Sequence, residues 1–218
     1  MAAIPGPGDT NATSGSDQNF LGMGTVFISL NSMPKKIEAF WNSNLFEVGI
    51  GNVVVARYRS ATAIEAGVFL VDTYCLGVKD AYYNRTSPGE YEEMFEQVFP
   101  PENRIPVAPA TARKLVDESI AYARRLGFSP HRDYKKAARV LGGIKAADSD
   151  ETFVFGYKGK PFYVQSNHDS PERAERTIRH LEARCGQDGF HHLLAGDLKD
   201  SRLPRSGEDE EPETRRAD

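Results

Sequence analysis

The stretch Gly67-Val-Phe-Leu-Val-Asp-Thr-Tyr-Cys-Leu-Gly-Val-Lys-Asp80 constrains the fold more than any other part of this chain. Side chains alternate across a strand, so Val68, Leu70, Asp72 and Tyr74 share one face and Phe69, Val71, Thr73 and Cys75 the other. Both faces are apolar, which calls for a central strand covered on both sides. A buried carboxylate is costly unless something pairs with it. Asp72 is therefore either satisfied by a structural partner or held for chemistry.

The neighbouring segments supply strand partners. Asn52–Arg59 is a β-branched run, Ser60-Ala-Thr62 reverses the chain, and Ile64–Val78 returns as one long strand, giving a hairpin. Phe153–Tyr157 and Pro161–Val164 read as a second hairpin around Lys158-Gly159, and Phe190–Leu194 as a last strand. Helical spacing of Ile37, Phe40 and Trp41 predicts a short helix over 33–43, started at Ser32 and Pro34. An acidic amphipathic helix covers 88–99 and is stopped by Pro100-Pro101.

The clearest helix runs from about Ala110, with Ala112, Leu115, Val116, Ser119, Ile120, Ala123 and Leu126 on one face and Gly127 as its cap. Ser129-Pro130 predicts another helix, buried through Tyr134, Ala137, Ala138 and Leu141. Ser170-Pro171 starts a helix to Cys185 that turns Ala174, Thr177, Ile178 and Leu181 inward. Together these predict an α+β fold: a single domain with two antiparallel β-hairpins packed against four or five helices.

Domain limits follow from composition. Residues 1–20 are rich in Gly, Ser, Asn, Pro and Thr and predict a disordered arm; 21–196 form the domain; 197–218 form a charged disordered tail. Gly24-Thr-Val-Phe-Ile-Ser-Leu30 reads as a short strand or an apolar lead-in. The formal charge of −4 comes from the ends, since 21–200 hold 23 basic and 23 acidic residues. A balanced core argues against broad non-specific nucleic-acid binding. No apolar run approaches the roughly 20 residues of a membrane helix, and no signal peptide is visible. Cys75 and Cys185 give neither a disulfide framework nor a zinc site, so cytoplasmic residence is expected. Gly22-Met-Gly24 and Gly49-Ile-Gly51 lack the strand–Gly–helix setting of a nucleotide loop.

Three segments together resemble an uncharacterised family of small bacterial proteins. They are Gly67–Asp80, Ala121-Tyr-Ala-Arg-Arg-Leu-Gly-Phe-Ser-Pro-His-Arg-Asp-Tyr134 and Gly156-Tyr-Lys-Gly-Lys-Pro-Phe-Tyr163, within a similarity spanning roughly 45–195. Family members often carry Gly-Pro before the next Asp, where this chain has Ser166-Asn-His-Asp169. The resemblance implies a bacterial, soluble protein and supplies no activity.

Four constellations are candidates for chemistry. Carboxylates of Glu65, Asp72 and Asp80 with His131 and Asp133 are the residue types that bind Mg²⁺ or Mn²⁺ and activate water for phosphodiester hydrolysis. On one extended strand, however, Asp72 and Asp80 lie about 26 Å apart. The bland alternative is an Asp72 held by backbone amides or a cation. Cys75 with His131 makes a thiol pair, against which stands the usual fate of a mid-strand Cys as a small buried hydrophobe. Ser129-Pro-His-Arg-Asp-Tyr134 would offer a helix N-terminus to an anion, helped by His131 and Arg132. Lys79 and Arg85 beside Tyr82-Tyr83, and Lys158 and Lys160 beside Tyr157 and Tyr163, interleave bases with aromatics as single-stranded nucleic acid or a peptide requires. His191 and His192 point to opposite faces.

No convergent catalytic motif emerges, so the preferred reading is a non-catalytic binding or regulatory domain acting on a protein or nucleic-acid partner, without cofactor and without membrane. The alternative is a metal-dependent, nuclease-like hydrolase using Asp72 with His131 or Asp133 and a divalent metal. Lys79, Asp80, Ser129, Arg132, Lys158 and Lys160 are the candidate ligand-binding residues.

Overall fold

The structure is a computed structural model and describes residues 36–194. The predicted arm, the Gly24–Leu30 segment, the helix start at Ser32 and Pro34 and the charged tail lie outside the described residues. Five strands form one antiparallel sheet in the order β4-β3-β2-β1-β5. They are β1 (Ile37–Trp41), β2 (Ile50–Ser60), β3 (Ala63–Asp72), β4 (Gly77–Thr86) and β5 (Ile105–Val107). A separate parallel pair joins β6 (Phe162–Val164) to β7 (His191–Leu193). The helices are α1 (Leu45–Val48), α2 (Pro88–Val98), α3 (Pro109–Arg125), α4 (Tyr134–Ala137) and α5 (Pro171–Cys185).

The predicted helix over 33–43 is a strand in its described part. Ile37, Ala39 and Trp41 belong to the core on one face of the sheet, and Phe40 packs into the core on the other. That is a period-two division. Spacing of 37, 40 and 41 fits a helix equally well in isolation; pairing of β1 with β2 on one edge and β5 on the other decides the matter.

The predicted long strand Ile64–Val78 breaks into β3, a tight turn and β4. Asp72 causes the break: its Oδ1 accepts the Tyr74 N–H at 2.9 Å and the Cys75 N–H at 2.8 Å, which folds the chain back. Gly77 completes it at φ +67°, where a Cβ would meet Ala123 Cβ and the Ser119 carbonyl at 2.8 Å. Asp72 pairs with Gly77, and Leu70 with Asp80. The separation of about 26 Å expected on a single strand therefore does not arise. Lys79 is the extra residue of a β-bulge between those pairs.

Two further expectations change. Phe153–Tyr157 and Pro161–Val164 do not form a ladder; an isolated bridge joins Tyr157 to Lys160, just before the second segment, and β6 pairs with β7 instead. Ser129 caps no helix, because the His131 N–H donates to the Val78 carbonyl at 2.9 Å and holds the preceding chain against β4. Helix α4 starts only at Tyr134 and continues as a 3₁₀ turn through Ala138–Leu141.

Three cores result. Helix α3 buries Ala112, Leu115, Val116 and Ile120 against Val53, Val55, Phe69 and Val71 of the sheet. On the other face α2 packs Tyr91 and Phe95, with Phe99, onto Val54, Ala56, Ile64 and Val68. Ser87 and Glu90 form its capping box, a start the sequence reading did not name. The third core joins Cys75 and Leu126 to Tyr163, Ala174, Leu181 and Phe190, so α5 and the parallel pair close over the β3–β4 turn. No helix is long and apolar enough to cross a membrane among the described residues.

Candidate functional site

The β3–β4 turn is where the separate parts of the molecule meet. Thr73 donates its N–H to the Gly49 carbonyl at 2.8 Å and accepts the Gly156 N–H at 3.0 Å. The Tyr74 carbonyl accepts the Phe162 N–H at 3.1 Å. The Tyr74 ring lies over Gly49, which ends α1 at φ +80°; a Cβ there would overlap the ring. Its hydroxyl donates to the carbonyls of Glu47 at 2.8 Å and Phe46 at 3.1 Å. The α1 C-terminus thus latches the ring in place, using carbonyls that a helix end leaves unsatisfied.

Two cavities open on either side of that ring. The larger, about 720 Å³, lies between the β5–α3 corner (Pro106, Val107) and the segment Glu151–Lys158. Its floor is aromatic: Phe46 stacks on Phe153 with centroids 5.7 Å apart, and Trp41 meets both edge-on. Tyr74 and Tyr157, 5.6 Å apart, form the facing side. The smaller cavity, about 400 Å³, has Val48, Ile50, Phe162 and Val164 as apolar walls and Asp72 with Lys79 among its polar lining.

Exposed apolar side chains concentrate here. Among the described residues seven large apolar side chains are exposed, and Phe46, Val48, Val154, Tyr157 and Val164 line these two cavities. Ile105 pairs with Trp41 and precedes Pro106 at the rim; Tyr82 stands apart on β4. A contiguous apolar patch of this kind marks an interaction or ligand site, whereas scattered ones mark nothing.

The wall at Thr152–Phe155 has a further property. Phe153 and Phe155 turn inward, Phe155 stacking on Tyr122 at 5.3 Å, while Val154 is 82% exposed. That alternation is strand-like. Yet among the described residues the backbone N–H and C=O groups of Thr152, Phe153, Val154 and Phe155 take part in no hydrogen bond.

The predicted catalytic residues fall into separate places. Asp72 is buried and caps its turn. Burial pushes its carboxyl up to about 6, against the opposing pull of the Cys75 N–H and Lys79. His131 lines a different, smaller cavity, and its Nδ1 lies 3.4 Å from Asp80 and 3.8 Å from Asp133. Asp72, His131 and Asp133 do not form one cluster, and among the described residues no three His, Cys, Asp or Glu side chains are placed to hold a metal ion. Cys75 is buried, and burial followed by the Asp72 carboxylate raises its thiol pKa. This is the opposite of what a thiolate nucleophile requires.

Of the predicted ligand-binding residues, Lys158 reaches the large cavity, with Nζ 5.2 Å from the Tyr157 ring centroid. Lys160 instead donates to the Asp188 carbonyl at 2.7 Å, outside the groove. Lys79, re-aimed by its bulge, is 11% exposed and stands 3.7 Å from Asp169. Burial alone would push Asp169 up; the Ser166 hydroxyl and N–H, then Lys79 and Arg173, outweigh it and hold the carboxyl below its usual range. Ser129 and Arg132 are exposed, Arg132 lying 3.8 Å from Asp133, and the expected helix N-terminus at Ser129 is absent.

Sequence reasoning missed the groove itself: Trp41, Phe46, Phe153 and Val154. The signal available was Val154, an apolar residue on what the alternation makes the outer side of a strand.

The chain matches no protein-family model, no curated protein and no solved structure. The functional reading therefore rests on the geometry of this molecule.

Proposed function

We propose that the protein is a non-catalytic binding module that takes an extended, apolar segment of a partner protein along the groove over Tyr74. The observation that carries this reading is the gathering of exposed apolar side chains around two adjoining cavities, beside a wall whose backbone donors and acceptors have no partner among the described residues. Strand addition supplies affinity through backbone hydrogen bonds and specificity through pockets for alternate side chains. The groove has both parts. Charges in the larger cavity are Glu151 and Lys158, and in the smaller Asp72 and Lys79, one of each sign in either, which favours an uncharged segment.

The test uses Trp41, the single Trp of the chain, as reporter. An uncharged decapeptide of alternating Val and Thr is titrated while Trp41 emission is followed. A saturable shift that weakens at least tenfold in Val154→Asp supports the module. Emission that does not respond, or responds identically in the variant, overturns it.

A further inference from the structure

A third cavity, about 240 Å³, lies between β4, the chain at Phe128–His131 and helix α5, and the groove makes no use of it. Its lining joins hydrocarbon from Leu76, Val78 and Phe128 to donors from Lys79, Arg173, His131 and Ser129.

Lys79 is the unusual member. The bulge in β4 places it here with its side chain 11% exposed, yet among the described residues its Nζ donates no hydrogen bond. Asp169 Oδ2, at 3.7 Å, is beyond hydrogen-bond reach. That oxygen is already supplied: the Ser166 hydroxyl donates to it at 2.9 Å, the Ser166 N–H at 3.2 Å and the Tyr163 hydroxyl at 3.5 Å. Asp72, which lines the neighbouring cavity with Lys79, gives its Oδ1 to the Tyr74 and Cys75 N–H groups. A nearly buried ammonium is costly without acceptors. The protein wall does not supply them, so they come from whatever fills the cavity.

The other donors point to an anion. The Arg173 guanidinium, 3.4 Å from Asp169 through Nε, also donates no side-chain hydrogen bond among the described residues. His131 turns Nδ1 to Asp80 at 3.4 Å and Asp133 at 3.8 Å, which leaves its Nε2 unused by them. Charge then decides the class. Two fixed cations, Lys79 and Arg173, stand against the Asp169 carboxylate in the wall, with Asp72 beyond Lys79. A dianion such as a phosphate monoester would meet those two carboxylates at close quarters. A single negative charge spread over two acceptor oxygens suits both the ammonium and the planar fork of an Arg. The hydrocarbon lining takes an apolar substituent.

We propose that this cavity binds a small organic monocarboxylate, its oxygens on Lys79 and Arg173 and its chain against Leu76, Val78 and Phe128. The site does not rest on the groove; of its lining residues, Lys79 alone also lines one of the groove cavities.

Amide chemical shifts, followed while the full chain is titrated with sodium butyrate at constant ionic strength, test this. Saturable shifts are expected at Ser129, His131 and Thr177. Butyramide, the uncharged analogue, should bind at least tenfold more weakly. Lys79→Met should weaken butyrate at least tenfold, and Arg173→Gln at least fivefold. Should Lys79→Met fail to fold, Arg173→Gln is read alone, its side chain being 62% exposed. Val154→Asp, which lies in the groove, should leave butyrate binding unchanged. The proposal is overturned by the absence of saturable shifts, by butyramide that binds as tightly, or by an affinity that Arg173→Gln leaves intact. Inorganic phosphate that binds more tightly than butyrate overturns the carboxylate assignment. Shifts confined to residues 152–158 and lost in Val154→Asp would put butyrate in the groove and likewise overturn it.

Discussion

β3 and the segment Thr152–Phe155 share the same alternation and differ in everything else. β3 is paired on both edges and covered on both faces, so Phe69 and Val71 are inaccessible to solvent. Thr152–Phe155 buries one face only and pairs with nothing described. Alternation therefore reports which side chains face the interior. It does not report whether the backbone finds a partner, because pairing depends on what lies alongside in space. The two segments should respond to substitution in opposite ways: β3 through folding, the groove through binding.

The largest effect is expected in β3. Phe69→Ala removes a fully buried ring and should cost about 3–5 kcal/mol in denaturant unfolding. A loss under 1 kcal/mol would break the contrast at its strong end.

The pH dependence of Asp72 comes next. Its folded pKa, about 6, lies above the unfolded value of about 3.9, so the folded state holds the proton more tightly. Stability from this group is full below the unfolded value and is lost as pH rises through about 6, by an amount on the order of 3 kcal/mol. Asp72→Asn keeps an acceptor for Tyr74 and Cys75 without the charge. The Tm of the Asn variant relative to wild type should rise between pH 4 and 6 and be level above. Asp169, held low, gives the reverse sign, so the difference between variant and wild type is the quantity to measure.

Asp72→Ala is expected to cost about 1–3 kcal/mol at pH 7, since two N–H groups at a buried turn lose their acceptor. Gly49→Ala straddles the two regions. It strains a left-handed residue by roughly 1–3 kcal/mol and displaces the Tyr74 ring, so both Tm and decapeptide affinity should fall. Loss of only one would show that the latch and the groove are separable. The smallest effect on folding belongs to Val154→Asp: within about 0.5 kcal/mol in stability, because the side chain is already in solvent. Its effect is confined to decapeptide affinity.

Much of the fold was legible. The inward face of α3 is buried at each position its periodicity named, because seven residues at helical spacing agree on one side. Ser170-Pro171 and Cys185 bound α5 as read. What failed had a common cause. At Ile37–Trp41 two periods fitted a short window, at Ser129 a cap signature was overridden by a tertiary hydrogen bond from His131 to Val78, and at Phe153–Tyr157 alternation was taken to imply a partner strand. For the site, Asp72 is buried as its strand position implied, and that burial traces to a turn. The groove residues were invisible because Trp41, Phe46, Tyr74 and Phe153 come from three distant stretches.

By itself the sequence determined the elements whose information is local: the β-branched central strands, the capped helices α2, α3 and α5, and the burial of Asp72. Tertiary structure alone decided where the long strand breaks, which strands pair and which aromatics share a cavity. These depend on pairing between residues far apart in the chain, and no local period encodes the neighbour that a backbone edge will meet.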